Sequence, residues 1–174
     1  MMRYIIAALL FITASAFTVV SLKPVDSDEA VTFTIKNFGI NTNGELKGLK
    51  GIIQWDEANP AASSFNITAD VNTINTGISS RDTHLKKTEY FNVATYPVIT
   101  FKSTAVTSSQ VTGSLSIKGV TKNISFPYTV SASGNGYVFK GNFSINRQDY
   151  GVGGGSAVLS STVNVQLNVK AEKQ

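Results

Sequence analysis

Cysteine is absent from the 174-residue chain. That excludes a disulfide framework, a thiolate-held zinc or iron–sulfur centre, and a cysteine nucleophile. Histidine occurs once, as His84, so no multi-histidine metal site forms within one chain. Charge is scarce: charged residues make up 15%, against a usual ~25%. This argues against a coiled coil and against a charge-rich disordered chain. With Pro 4 and Gly 14, low-complexity and collagen-like sequences are excluded too. The formal charge is +4, but the longest basic run is Lys86–Lys87. Nucleic-acid binders gather positive charge into a patch or stripe, so no nucleic-acid partner is expected.

What is present is apolar and aromatic. Hydrophobic residues make up 42%, with Phe 10, Tyr 6 and Trp 1, enough for a sizeable core in one domain. Residues 1–22 read MMRYIIAALLFITASAFTVVSL. Arg3 precedes an apolar stretch that runs into Ala14-Ser15-Ala16, the layout of a secretory signal peptide with a small-residue cleavage site. Removal of residues 1–16 is expected, which leaves a periplasmic or secreted product. Tyr4 to Leu22 approaches the length of a membrane span, so a retained anchor is the competing reading.

Beyond that segment, apolar and polar residues alternate with period two, the pattern of half-buried strands. Val31, Phe33 and Ile35 begin it, then Leu49, Gly51, Ile53 and Trp55, with a bulge suggested at Gly48. Phe65 to Val71, Ile99 to Ser103, Val111 to Ile117 and Ile124 to Val130 follow, then Tyr137 to Ile145 and Val163 to Val169. Pro127 removes a ladder donor inside its strand, which favours an edge, a bulge or a local break. Ser79 and Asp82 have capping-box spacing, so a short helix is expected near 80–88. Eight short, mostly antiparallel strands with one apolar face each make a sandwich or a closed barrel.

Two polar clusters interrupt the alternation. Arg81-Asp82-Thr83-His84 reads either as a headgroup or catalytic site, or as a helix start whose Asp82 faces backbone amides. Asn146-Arg147-Gln148-Asp149 reads as a loop anchored by an Arg147–Asp149 ion pair, or as the mouth of a pocket. The Gly-Val-Gly-Gly-Gly run at 151–155 lacks the Lys-Ser/Thr of a phosphate-binding loop and opens no predicted helix.

Taken in order, these residues resemble the YceI-like family. The match runs through Thr76-Gly77, Arg81-Asp82, His84-Leu85, Phe91, Tyr96-Pro97, Phe101 and Ser103. It continues with Gly113, Leu115 and Lys118-Gly119-Val120-Thr121-Lys122, and ends at Arg147, Asp149, Tyr150 and Gly151. It covers residues 29–170, taken as the barrel domain. The resemblance implies an all-β, eight-stranded antiparallel, lipocalin-like barrel that holds a long isoprenoid chain, a polyprenyl lipid or a quinone-type tail. Leu46 stands where the family often has Phe, and the stretch after Gly151 is unusually rich in glycine.

A barrel of this kind would be lined by Phe33, Ile35, Ile53, Trp55, Phe65, Ile67, Phe101, Leu115, Phe126, Phe139, Phe143 and Leu167. Arg81, Asp82, His84, Arg147 and Asp149 are the polar candidates for its mouth or for loop anchoring. Each buried methylene of a ligand contributes about 0.8 kcal/mol. The expectation is a lipid carrier, store or sensor, with no metal, no cofactor and no catalytic residue. Transient membrane contact is compatible with this role, and the oligomeric state is open, a dimer included. Two other readings stand beside it. One is a structural or stress-related barrel with a filled core. The other is an eight-stranded outer-membrane barrel, whose apolar side chains would face outward.

Overall fold

The computed structural model describes residues 18–174. The expected signal segment, 1–16, lies outside them. The strands are β1 (Val20–Pro24), β2 (Val31–Asn37), β3 (Ile40–Trp55), β4 (Ser64–Asn75), β5 (Val98–Val106), β6 (Gln110–Ile117), β7 (Val120–Ser133), β8 (Gly136–Asn146) and β9 (Leu159–Lys173). Among the described residues one α-helix, α1 (Ser79–Leu85), lies between β4 and β5. Chain neighbours from β2 to β9 pair antiparallel, and β2 pairs with β9 to close the barrel.

β1 and β2 share one position in the wall. Both are antiparallel to β3 and to β9: Leu22 faces Ile53 and Lys173, while Val31 faces Leu46 and Leu167. The barrel is therefore eight-stranded and antiparallel, as the alternation implies, with its first stave interrupted at residues 25–30. The barrel starts earlier than residue 29. β1 supplies Leu22, fully buried and part of the core cluster that also holds Ala171. The apolar run before it conceals this strand from a reading of periodicity.

The irregularities have local causes. β3 shifts register against β4 on both sides of Lys47, and Gly48 takes φ 69° there. A Cβ on Gly48 would stand 2.7 Å from that of Asp70, so the bulge needs glycine. Pro127 marks a break, as its missing donor requires. β7 pairs with β6 from Val120 to Pro127, and with β8 only from Tyr128 onward. α1 is shorter than 80–88 and has no capping box. Its N-cap is Ile78, which makes no side-chain cap bond. Asp82 turns back instead to accept bonds from the Thr76 amide and hydroxyl.

The two faces of the wall differ in kind. Inside, period-two residues form the apolar core. Outside, exposed side chains bond across strands: Thr112 with Ser125, Ser114 with Asn123, Ser116 with Thr121, and Ser144 with Asn164. A bilayer-spanning barrel needs an apolar outer band. On β6–β9 the exterior carries these polar pairs instead, which argues against the outer-membrane alternative.

Candidate functional site

The four connections 38–39, 76–97, 118–119 and 147–158 lie at one end of the barrel. Behind them runs a cavity of about 670 Å³. That is within the usual range of ~300–1,000 Å³ for small-molecule sites. The barrel axis is therefore open, contrary to the filled-core alternative. Phe33, Ile35, Ile53, Phe65, Ile67, Phe101, Leu115, Phe126, Phe139, Phe143 and Leu167 all line it.

Trp55 does not line the cavity. It is buried at the opposite end, edge-on to Phe139 at 5.3 Å, to Tyr137 at 6.1 Å and to Tyr128 at 6.2 Å. Phe65 joins the group at 5.4 Å from Phe139. The reason is its place as the last residue of β3. The side chain has the inward parity read from the sequence but stands below the open lumen. These rings form a floor. Burial raises the Tyr128 phenol above its ordinary pKa, and its hydroxyl donates to the Thr107 carbonyl at 2.8 Å.

Glycines keep the lumen wide. A Cβ on Gly44 would lie 2.3 Å from the Phe33 ring, and one on Gly113 would lie 2.7 Å from the Phe101 ring. Each ring thus folds flat across a neighbouring strand's glycine instead of projecting into the axis.

The mouth is built by the two polar clusters, in different ways. Arg81, half-buried, donates from Nε to the Thr76 hydroxyl (2.7 Å) and from Nη2 to the Thr76 carbonyl (2.6 Å). Its Nη1 has no protein partner among the described residues, and the side chain borders the cavity. Asp82 does not border it. Its carboxylate holds Thr76 and so fixes the platform on which Arg81 rests. His84 borders the cavity with its side chain half in solvent. Its Nε2 is 3.7 Å from Glu89 Oε1, and its ring meets Tyr90 edge-on at 5.0 Å.

Arg147 also borders the cavity but is only 4% exposed. It donates to the carbonyls of Ser160 (2.9 Å), Val152 (2.8 Å), Gly154 (3.0 Å) and Leu159 (3.3 Å). The Arg147–Asp149 ion pair does not form: Asp149 points outward, 3.9 Å from Lys122. The guanidinium instead gathers the glycine-rich connection around itself. Gly153 lies so close that a Cβ there would meet Nη1 at 2.9 Å. The tight packing around this one side chain gives the Gly-rich run a structural reason.

Several lining residues escape the strand alternation. Leu85, Tyr90, Phe91, Tyr150 and Val152 come from the two connections and fold over the upper lumen. No period marks them in a loop. Only their place in the ordered family pattern, at Leu85, Phe91 and Tyr150, signals them.

The YceI-like domain model matches residues 22–171. The chain belongs to the YceI-like family. Protein YceI of Salmonella arizonae is 33% identical over 141 residues, 78% of this chain and 74% of that protein. Among solved structures, this YceI-like barrel resembles Burkholderia cenocepacia BcnA with a TM-score of 0.75 at 26% identity, covering 86% of this chain and 94% of that one. A polyisoprenoid binding domain from Saccharophagus degradans shares the fold, with a TM-score of 0.68 at 18% identity, covering 90% and 100%.

Proposed function

We propose that this YceI-like chain binds the apolar tail of an isoprenoid lipid, polyprenyl or quinone-type, along the barrel axis and carries or stores it outside the cytoplasm. One observation carries the reading: an apolar cavity of about 670 Å³, shut below by aromatic rings and edged above by Arg81 and His84. Family membership, and a fold shared with a domain named for polyisoprenoid binding, support it. An extended tail buries methylenes at about 0.8 kcal/mol each, enough to offset the cost of association.

The head group lies at the open end. Arg81 Nη1 offers free N–H donors there, and His84 a ring nitrogen, to a phosphate or a quinone carbonyl. The role is binding, not catalysis. His84 faces Glu89 and Tyr90, an arrangement that orients an imidazole without presenting it to a nucleophile. The test is a thermal-shift titration with polyprenyl phosphate and with a long-tailed quinone. A rise in Tm that saturates, and that Leu115→Trp abolishes by filling the lumen, supports the proposal. No shift with either compound removes it.

A further inference from the structure

The open end carries a second feature that ligand binding does not explain. Large apolar side chains stand exposed around the mouth, outside the cavity: Phe38 (73%), Ile40 (72%), Ile78 (50%) and Val120 (38%), with Val158 (39%) at the cavity's edge. Phe38 is the boldest. It occupies the tip of the β2–β3 hairpin at φ 50°, followed by Gly39 at φ 75°. This position favours Asn or Gly, and a bulky ring there is unusual. Its amide donates to the Val158 carbonyl at 2.9 Å, which joins the tip to the end of the glycine-rich connection. Among the described residues no packing covers the ring. Contiguous exposed apolar surface of this kind marks an interaction site.

Cations stand near three of these projections in the chain. Lys36 precedes Phe38, Lys118 precedes Val120, and Lys86–Lys87 follow the helix that Ile78 begins. None of these lysines has a carboxylate partner among the described residues, but the Lys118 ammonium donates to the Gly151 carbonyl at 2.7 Å and to that of Glu89 at 3.3 Å, which leaves Lys36, Lys86 and Lys87 as the unpaired cations. The acids of this rim are otherwise engaged: Asp82 with Thr76, Asp149 with Lys122, and Glu89 beside His84. A set of apolar points with the unpaired ammonium groups of Lys36, Lys86 and Lys87 near them is complementary to a bilayer surface with anionic headgroups. It is a poor match to a second copy of the chain, whose rim repeats the same positive sign.

We propose that the open end docks on an anionic lipid surface, with Phe38 and Ile40 entering the interfacial region and Lys36, Lys86 and Lys87 pairing with headgroups. This goes beyond ligand binding and does not depend on what fills the cavity. Docking in this pose sets the mouth against the membrane, where an apolar tail passes between bilayer and barrel without crossing water.

The experiment is flotation of the purified chain with vesicles of phosphatidylcholine alone and of phosphatidylcholine with phosphatidylglycerol. Binding is expected to the second only and to weaken as salt is added. The Phe38→Ser/Ile40→Ser double variant should lose at least about tenfold in vesicle affinity, since the contact scales with buried apolar area. Lys36→Gln and Lys87→Gln should each lose about fivefold. The double variant replaces exposed side chains, so its Tm and its response to polyprenyl lipids should stay those of the parent. That separates failure of docking from failure of ligand binding. In a Phe38→Trp chain the new indole should shift to the blue on anionic vesicles, while that of Trp55, buried at the other end, holds still. Absence of flotation, or flotation indifferent to the double variant, overturns the proposal. So does a dimer in solution that the double variant dissociates, because it assigns the patch to a second copy.

Discussion

The ring of Phe33 lies flat over Gly44, so close that a Cβ on the glycine would stand 2.3 Å from Phe33 Cζ. The two residues face each other directly across β2 and β3. The contact decides whether that stretch of wall is smooth or obstructed. Gly44→Val should push the ring into the lumen, lowering affinity for an isoprenoid tail by about tenfold or more. The stability cost should be modest, about 1–3 kcal/mol, since a ring can turn where backbone cannot. Ligand titration and chemical denaturation on the same variant check both halves.

Trp55 supports the fold rather than the ligand. Trp55→Ala removes the largest buried ring from the floor and should cost about 3–5 kcal/mol. Trp55→Phe should cost clearly less, because the indole Nε1 is buried without a partner among the described residues and its loss forfeits no bond there. Denaturant midpoints of the two variants make the comparison. Equal losses would contradict the floor's packing role.

Much of this was legible from the residues, for identifiable reasons. Period-two alternation is a property of strands with one wet face, so β2 through β9 declare themselves, and so do the inward Phe33, Ile53 and Phe101. Alternation carries no depth along the barrel axis. Trp55 therefore looks like a lining residue and is a floor. Loop residues have no period at all, which hides Tyr90 and Val152. The polar clusters showed their importance but not their partners. Asp82 and Asp149 sit beside arginines in sequence, yet they bond to Thr76 and Lys122 because the turns point them away.

Arg147 ties the glycine-rich connection to the start of β9, donating to two carbonyls in each. Arg147→Met keeps the bulk and removes every donor. It should cost at least about 2 kcal/mol, since several carbonyls lose their partner at once. Arg147→Lys should rescue little, because one ammonium cannot match the guanidinium's spread of donors. Hydrogen exchange at residues 151–158 should rise in both variants, with the rest of the barrel protected as before.

Burial raises the Tyr128 phenol pKa, so the folded chain resists its ionisation. The sign follows from linkage: the folded state holds this proton to higher pH than the unfolded chain does. The contribution is complete below the unfolded tyrosine value of about 10 and is lost as pH rises from there through the folded value. Tyr128→Phe should flatten that alkaline loss while lowering stability at neutral pH, because the bond to the Thr107 carbonyl goes with the hydroxyl. Urea denaturation from pH 7 into the alkaline range reads both effects.

The account stands on the lumen holding an apolar chain, and native mass spectrometry of protein purified from its own host tests that most directly. The expected spectrum shows the folded chain with one lipid-sized added mass. Organic extraction should release that mass as an isoprenoid, and Leu115→Trp should lack it. A folded chain at its bare mass, which takes up neither polyprenyl phosphate nor a long-tailed quinone when these are added, would contradict the account.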